Sequence, residues 1–413
     1  MTLLEYLFWL CAVLVGYTYA GYPALVWFLS WFFGKVQSPP ESREETLPSL
    51  TLVLSAFNEE SVIGERIQNA LDMDYPHDKL ELLIGSDGST DGTDDIVRSF
   101  ASPRVRLLSF SKNRGKASVI NDAVATAHGE ILLMTDANTH VDRAAPRNLV
   151  RWFADPKVGT VVGRLILNDR EGGQNADGLY WRYETFLKRR ESLLDGLLGA
   201  NGAIYAIRTE LFTPIPEDTI VDDFLIPLVA KIRSACKIIY DDEAIAREET
   251  APNLISEFRR RVRIGAGGYQ AIGMVWRLLD PRTGWISFTF FSHKILRWLC
   301  PFFLIGMVLL CIPLADQLFY KTFLILQVVS YTTLGYLGLR SQIRMPKPIR
   351  GASMFVIINL ALLCGFFSWL SGSQKGSWMR TSRSRETESF IVSGCNLPSK
   401  TRGEIDESDS NAL

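Results

Sequence analysis

The sequence predicts an α/β domain with a mostly parallel sheet, joined to about four transmembrane helices. Three observations carry this expectation. Short apolar segments alternate with helix-period segments from Leu50 to Met134, the ends of the apolar segments carry clusters of Asp, Asn, Gly and Lys, and long uncharged runs lie on either side of a stretch with ordinary soluble composition.

The membrane elements are the simplest to justify. Tyr6 to Phe33 carries no charged residue, and a helix needs roughly 20 apolar residues to cross a bilayer. The run is too long for a signal peptide and no small-residue cleavage site follows it, so residues 1–37 are expected to remain as an anchor. Trp298 to Ala315, Thr322 to Leu339 and Gly351 to Gln374 are three further uncharged runs, which place a membrane block at 295–374. Residues 38–275 then form one soluble domain, entered through a linker with Pro39 and Pro40. The segment 276–294, with Trp276, Trp285, Ile286, Phe288 and Phe290, reads equally as an interfacial amphipathic segment or as a core helix. The polar tail 375–413, with Glu404, Asp406, Glu407 and Asp409 near its end, is expected to be disordered.

Composition excludes little else. A net charge of −1 gives no reason to expect nucleic acid as a partner. Cys11, Cys300, Cys311 and Cys364 lie in or beside apolar runs, Cys236 and Cys395 stand alone, and no pair has metal-site or disulfide-framework spacing.

Within the soluble part, Leu50–Ser55, Leu82–Gly85, Val105–Ser109 and Ile131–Met134 read as strands. Ile63, Ile67, Ala70 and Leu71 mark a first helix, Asp94 to Phe100 a second, and Ala117, Ile120, Val124 and Ala127 one face of a third. Strands alternating with helices imply parallel pairing, which leaves ligands at the carboxyl ends of the strands.

Those ends hold the candidate chemistry. Phe57-Asn58-Glu59 follows the first strand and Ser86-Asp87-Gly88 the second, where glycines let the backbone approach a ligand. Lys112-Asn113-Arg114-Gly115-Lys116 follows the third. Cations at a helix N-terminus oppose the helix dipole, so an anionic ligand such as a diphosphate explains them better than chance does. The fourth strand ends in Asp136-Ala137-Asn138, two oxygen donors that an extended backbone points the same way, toward one divalent cation or one ribose.

Taken in order with Gly199-Ala200-Asn201-Gly202-Ala203, Val221-Asp222-Asp223 and the arginines around Arg263, these elements resemble the inverting family 2 glycosyltransferases, which include cellulose, chitin, hyaluronan and poly-N-acetylglucosamine synthases. The resemblance covers roughly Leu50 to Gln270 and the flanking membrane helices. It implies the glycosyltransferase A-type fold, with Phe57, Asn58, Glu59 and Asp87 around the nucleotide of a sugar donor and Lys116 near its diphosphate. It also implies Arg263 on the donor, and Asn201 and Gly202 on the acceptor side. Asp136 and Asn138 would hold ribose and Mg²⁺ or Mn²⁺, Asn138 standing where the family has a second carboxylate. The base falls on Asp222 or Asp223, the offset to Leu225 favouring Asp222. The signature tryptophan is Ile264 here, which argues against long polymers.

The resemblance implies a multi-pass protein of the plasma or inner membrane, its catalytic domain cytosolic, acting on a polysaccharide or lipid-linked acceptor. A single-sugar transferase to a lipid carrier and a catalytically silent regulatory protein are the alternatives. The basic loop Arg340 to Arg350 fits the positive-inside rule. The basic tail around Lys375 to Arg385 conflicts with it if three helices cross after the domain.

Overall fold

The computed structural model describes residues 1–36, 38–39, 46–168, 176–249, 254–339 and 346–374. The expected tail, Cys395 and most of the basic loop at 340–350 lie outside the described residues.

Eight strands form one sheet in the order β3-β2-β1-β4-β7-β6-β8-β5. The strands β1 (Leu50–Ala56), β2 (Leu80–Ser86), β3 (Val105–Ser109) and β4 (Ile131–Asp136) pair in parallel, as the alternation predicts. Beyond them lie β5 (His140–Val141), β6 (Val158–Asn168), β7 (Tyr205–Arg208) and β8 (Lys237–Glu249). Here β7 runs antiparallel between β4 and β6, whereas β6 and β8 pair in parallel.

Successive residues of the central strands point to opposite faces, and each face has its own core. Leu52, Leu54, Leu82, Ile84 and Leu133 pack with Ile63 and Ile67 of α3 (Ile63–Leu71), Val97 of α4 (Thr93–Ser99) and Leu149 of α6 (Ala145–Val150). Val53, Leu83, Leu132 and Met134 face Ile120 of α5 (Lys116–Ala125) and Leu225 of α8 (Asp222–Ser234).

The second core runs on without a break into the apolar helices. It includes Tyr269 of α9 (Leu254–Val275), Trp298 of α11 (Leu296–Cys311) and Leu362 of α13 (Lys347–Leu370). Glycine permits the closest approach: a Cβ on Gly365 would stand 2.8 Å from the Val262 carbonyl oxygen, so α9 lies directly on α13.

Among the described residues three helices are long and apolar enough to cross a membrane: Leu3–Phe33, Trp285–Cys311 and Pro348–Leu370. The first consists of α1 (Leu3–Gly16), a π-helical turn at Tyr17–Gly21 and α2 (Tyr22–Phe33). It starts before the uncharged run because Thr2 and Glu5 cap it reciprocally. The run at Thr322 to Leu339 is helical too, α12 (Leu318–Leu339). It is not among the three; Gln327, Ser330, Thr332 and Thr333 interrupt its apolar sequence.

The region 276–294 is not one amphipathic helix. Pro281 and Gly284 (φ 78°) break it into two 3₁₀ turns, after which α10 (Trp285–Thr289) and a π-helical stretch at Phe290–Ile295 lead straight into α11. One further long helix, α7 (Ala176–Leu193), lies against α2: its Leu187, with Leu194 just beyond its end, packs with Tyr22 and Val26.

Candidate active site

Strand register brings the predicted loops side by side. Ala56 pairs with Ser86, and Ser55 with both Gly85 and Asp136, so the carboxyl ends of β1, β2 and β4 are level. Asn58 takes a positive φ of 54°. Its Oδ1 accepts the Thr90 N–H at 2.8 Å, while its own N–H donates to Ser89 Oγ at 3.1 Å. Glu59 is buried and its N–H donates to Thr93 Oγ1 at 2.8 Å. Phe57 is half-buried beside them.

Asp87 has no exposed surface. Its two carboxylate oxygens accept the N–H groups of Arg114 at 2.8 Å and Gly115 at 2.9 Å. Gly88 has φ 71°, and a Cβ there would stand 2.5 Å from the carbonyl carbon of Lys112. Asp87 and Gly88 together seat the basic loop that opens α5.

At the start of α5, Lys116 Nζ donates to Asp136 Oδ1 at 2.8 Å and lies 3.1 Å from Asp222 Oδ2. Burial alone would favour the neutral amine. The carboxylates of Asp136, Asp222 and Asp223 outweigh it and hold the ammonium well above its ordinary range. Asp222 is buried at the first turn of α8. Asp223 is pushed up to about 6, first by burial and then by the charge of Asp222, with Lys116 pulling the other way.

The remaining predicted residues divide. Gly202 touches the cluster, since a Cβ there would stand 2.5 Å from Asp136 Oδ2. Asn201 is buried and uses its amide inside the fold, donating to the Gly163 carbonyl at 3.2 Å and accepting the Ile204 N–H at 3.3 Å. Asn138 is exposed in the turn that follows β4, so the extended spacing expected of Asp136 and Asn138 is not formed: the strand ends at Asp136. Arg263 is exposed on α9 and makes no ion pair among the described residues, whereas Arg260 and Arg261 both pair with Glu257 at 2.8 Å.

Three residues near the cluster escaped the sequence reading. Arg66 is buried, donates to Asn69 Oδ1 at 2.9 Å, and is lowered to about 10 by burial against the pull of Asp136. Its signal was a charge in the Ile63–Ile67–Ala70 stripe, where an apolar residue belongs. Glu248 of β8 accepts the Thr139 hydroxyl at 2.7 Å, and burial and Asp136 raise its pKa. Tyr205 is buried beside Lys116 and Asp222, lining a small cavity with Ser55 and Thr135. Neither Glu248 nor Tyr205 belongs to a local motif.

Among the described residues no three His, Cys, Asp or Glu side chains stand close enough to hold a metal ion by themselves. Asp136 and Asn138 offer oxygen donors at one strand end. That donor set fits a hard divalent cation that takes its other ligands from a substrate's phosphates.

The domain has the glycosyltransferase A-type fold, as its likeness to a solved transferase shows. The chain aligns with the mannosyltransferase of Pyrobaculum calidifontis in complex with GDP-Man and Mn²⁺ at a TM-score of 0.68 and 22% identity, covering 88% of this chain and 99% of that one. Residues 51–212 match the model of glycosyl transferase family 2, and the chain therefore carries a family 2 domain. It is 26% identical over 303 residues to the beta-monoglucosyldiacylglycerol synthase of Synechocystis, covering 70% of this chain and 61% of that protein. It is 24% identical over 240 residues to the poly-beta-1,6-N-acetyl-D-glucosamine synthase of Staphylococcus aureus, covering 56% and 58%. The chain thus spans about three fifths of the length of these curated relatives.

Proposed function

We propose that the protein is a membrane-anchored inverting glycosyltransferase that moves a sugar from a nucleotide donor, UDP-linked, to a hydroxyl of a glycolipid or growing polysaccharide. The observation that carries this reading is the cluster of Lys116, Asp136, Asp222 and Asp223 at the carboxyl edge of a family 2 sheet. Glucose- and N-acetylglucosamine-transferring relatives support a hexose or N-acetylhexosamine.

In this reaction the acceptor oxygen attacks the anomeric carbon, the bond from that carbon to the diphosphate breaks, and the hydroxyl proton passes to a carboxylate within about 3 Å. Asp222 is favoured by the offset to Leu225, but its carboxylate is committed to Lys116. Asp223 makes no ion pair among the described residues, and burial and the charge of Asp222 raise it, so we assign the proton to Asp223 and the hold on Lys116 to Asp222. Lys116 offsets the charge that grows on the leaving diphosphate. A divalent cation, Mg²⁺ or Mn²⁺, held by Asp136 and Asn138 would add charge stabilisation there. The Mn²⁺ in the Pyrobaculum complex supports the metal.

The apolar helices that share a core with α9 support catalysis at a bilayer, with the soluble domain on the cytosolic face of a plasma or inner membrane. Ile264, exposed at the position where polymerising members carry tryptophan, supports the addition of one or a few sugars. The test is release of UDP from UDP-glucose or UDP-N-acetylglucosamine by purified protein in vesicles, with and without added lipid acceptor. Release that depends on acceptor supports the reading; its absence with every UDP- and GDP-sugar sinks it.

A further inference from the structure

Tyr205 opens β7 near the middle of the sheet, paired with Met134 of β4 and Val162 of β6. It is 1% exposed and belongs to the core that includes Ile120 and Leu225. Phenylalanine would meet the same apolar walls without burying a hydroxyl. That hydroxyl is buried and meets no protein partner among the described residues, whereas a buried phenol ordinarily finds one. Burial and then the charges of Asp222, Asp223 and Asp136 keep its proton on. A neutral phenol therefore stands near carboxylates with a hydrogen bond still to give.

A cavity at Tyr205 supplies the room for it. Val53, Ile120 and Met134 form its apolar wall, and Ser55, Lys116 and Asp222 its polar one. Its open volume, about 10 Å³, is the space of one water and of no larger ligand. Ser55 is buried and shares a strand face with Val53, so it puts a hydroxyl where the core takes apolar residues. Two hydroxyls and a carboxylate thus line a space for one water, which needs roughly two to four polar partners. Asp222 also gains from such a partner: its Oδ2 lies 3.1 Å from Lys116 Nζ, and a donor on the cavity side fixes the rotation of the carboxylate.

We infer that this cavity holds one water, which accepts a hydrogen bond from Tyr205 and donates to Asp222 and Ser55, so that Tyr205 and Ser55 are positioning residues for the Asp222–Lys116 pair. The effect on transfer rests on the proposed transferase activity; the water does not. No bond breaks and no proton moves. The water holds Asp222, Asp222 holds Lys116, and the ammonium keeps an N–H for the leaving diphosphate.

The test is Tyr205→Phe, which removes the hydroxyl and keeps the ring, in full-length protein in detergent. A hydroxyl bound to water contributes a hydrogen bond, so the melting temperature should fall by about 2–4 °C. A hydroxyl without a partner would give a rise, and a rise overturns the water. In steady-state kinetics kcat should fall about tenfold, the scale for losing an outer partner of a site, with KM for the nucleotide sugar little changed. An unchanged kcat, or a loss confined to KM, overturns the positioning role. Ser55→Ala should act in the same direction, and the double variant should lose less than the product of the two single losses, since both residues hold one water. Multiplicative losses overturn the shared water. If a variant does not fold, a crystal structure of the wild type that orders internal water decides: one water against the Tyr205 hydroxyl is expected, and an empty cavity sinks the inference. If no nucleotide sugar is turned over, the transferase reading fails, while the melt and the water still decide this one.

Discussion

Lys116 Nζ lies 3.1 Å from Asp222 Oδ2, an ion pair that joins the start of α5 to the start of α8 across the carboxyl edge of the sheet. The same ammonium holds Asp136, so one cation offsets carboxylates from two elements. Lys116→Met removes that cation while keeping much of the side chain's length. Transfer should fall by about 10²-fold, the scale seen when one group that stabilises developing charge is deleted. Steady-state kinetics checks this, and a loss confined to KM would mean that Lys116 binds the donor without acting on the leaving group.

The acid limb of the pH–rate profile follows from Asp223. Its pKa is raised to about 6, so the carboxylate is protonated below that value and cannot accept a proton. The kcat/KM should rise through pH 6 to a plateau. Lys116 lowers this pKa, so the limb should move to higher pH in Lys116→Met. Asp223→Asn should abolish transfer and leave UDP binding in place. The sign for stability is opposite: a carboxylate raised on folding stabilises fully below its unfolded value of 3.8, and that contribution is lost as pH rises through 6. Asp223→Asn should therefore be no less stable than wild type at pH 8, as a thermal melt would report.

How much of this was legible depended on whether a residue announces itself locally. The four parallel strands follow from apolar runs in step with helical spacing, and Asp87, Lys116 and Asp136 follow from lying at their ends. The antiparallel β7 interrupts the parallel pattern because its register is set by β4 and β6, which are distant in sequence. The base was ambiguous between Asp222 and Asp223 because adjacent residues differ only in where the helix start turns them.

Asp87 acts first as a clamp. Both of its oxygens accept N–H groups of the 112–115 loop, and hydrogen bonds to a charged acceptor contribute about 1.5–3 kcal/mol each. Asp87→Ala should lower the melting temperature and weaken UDP together, because the loop that carries Lys116 loses its seat. If the main role of Asp87 were direct contact with the nucleotide, UDP affinity would fall while the melt stayed put. Measuring both on one preparation separates the two roles.

Gly202→Ala tests the position of Asp136 without touching its charge. The new Cβ would stand 2.5 Å from Asp136 Oδ2, well inside contact distance, so one of the two must move. The carboxylate is the free end of a side chain, and its rotation costs less than a shift of the turn. The fold should survive with a melting temperature within a few degrees of wild type, a change of about 1 kcal/mol. The displaced carboxylate should weaken the divalent cation, so the Mn²⁺ concentration for half-maximal activity should rise by about tenfold. An unchanged Mn²⁺ dependence would remove Asp136 from the metal site, whereas EDTA-insensitive transfer by the wild type would remove the metal altogether.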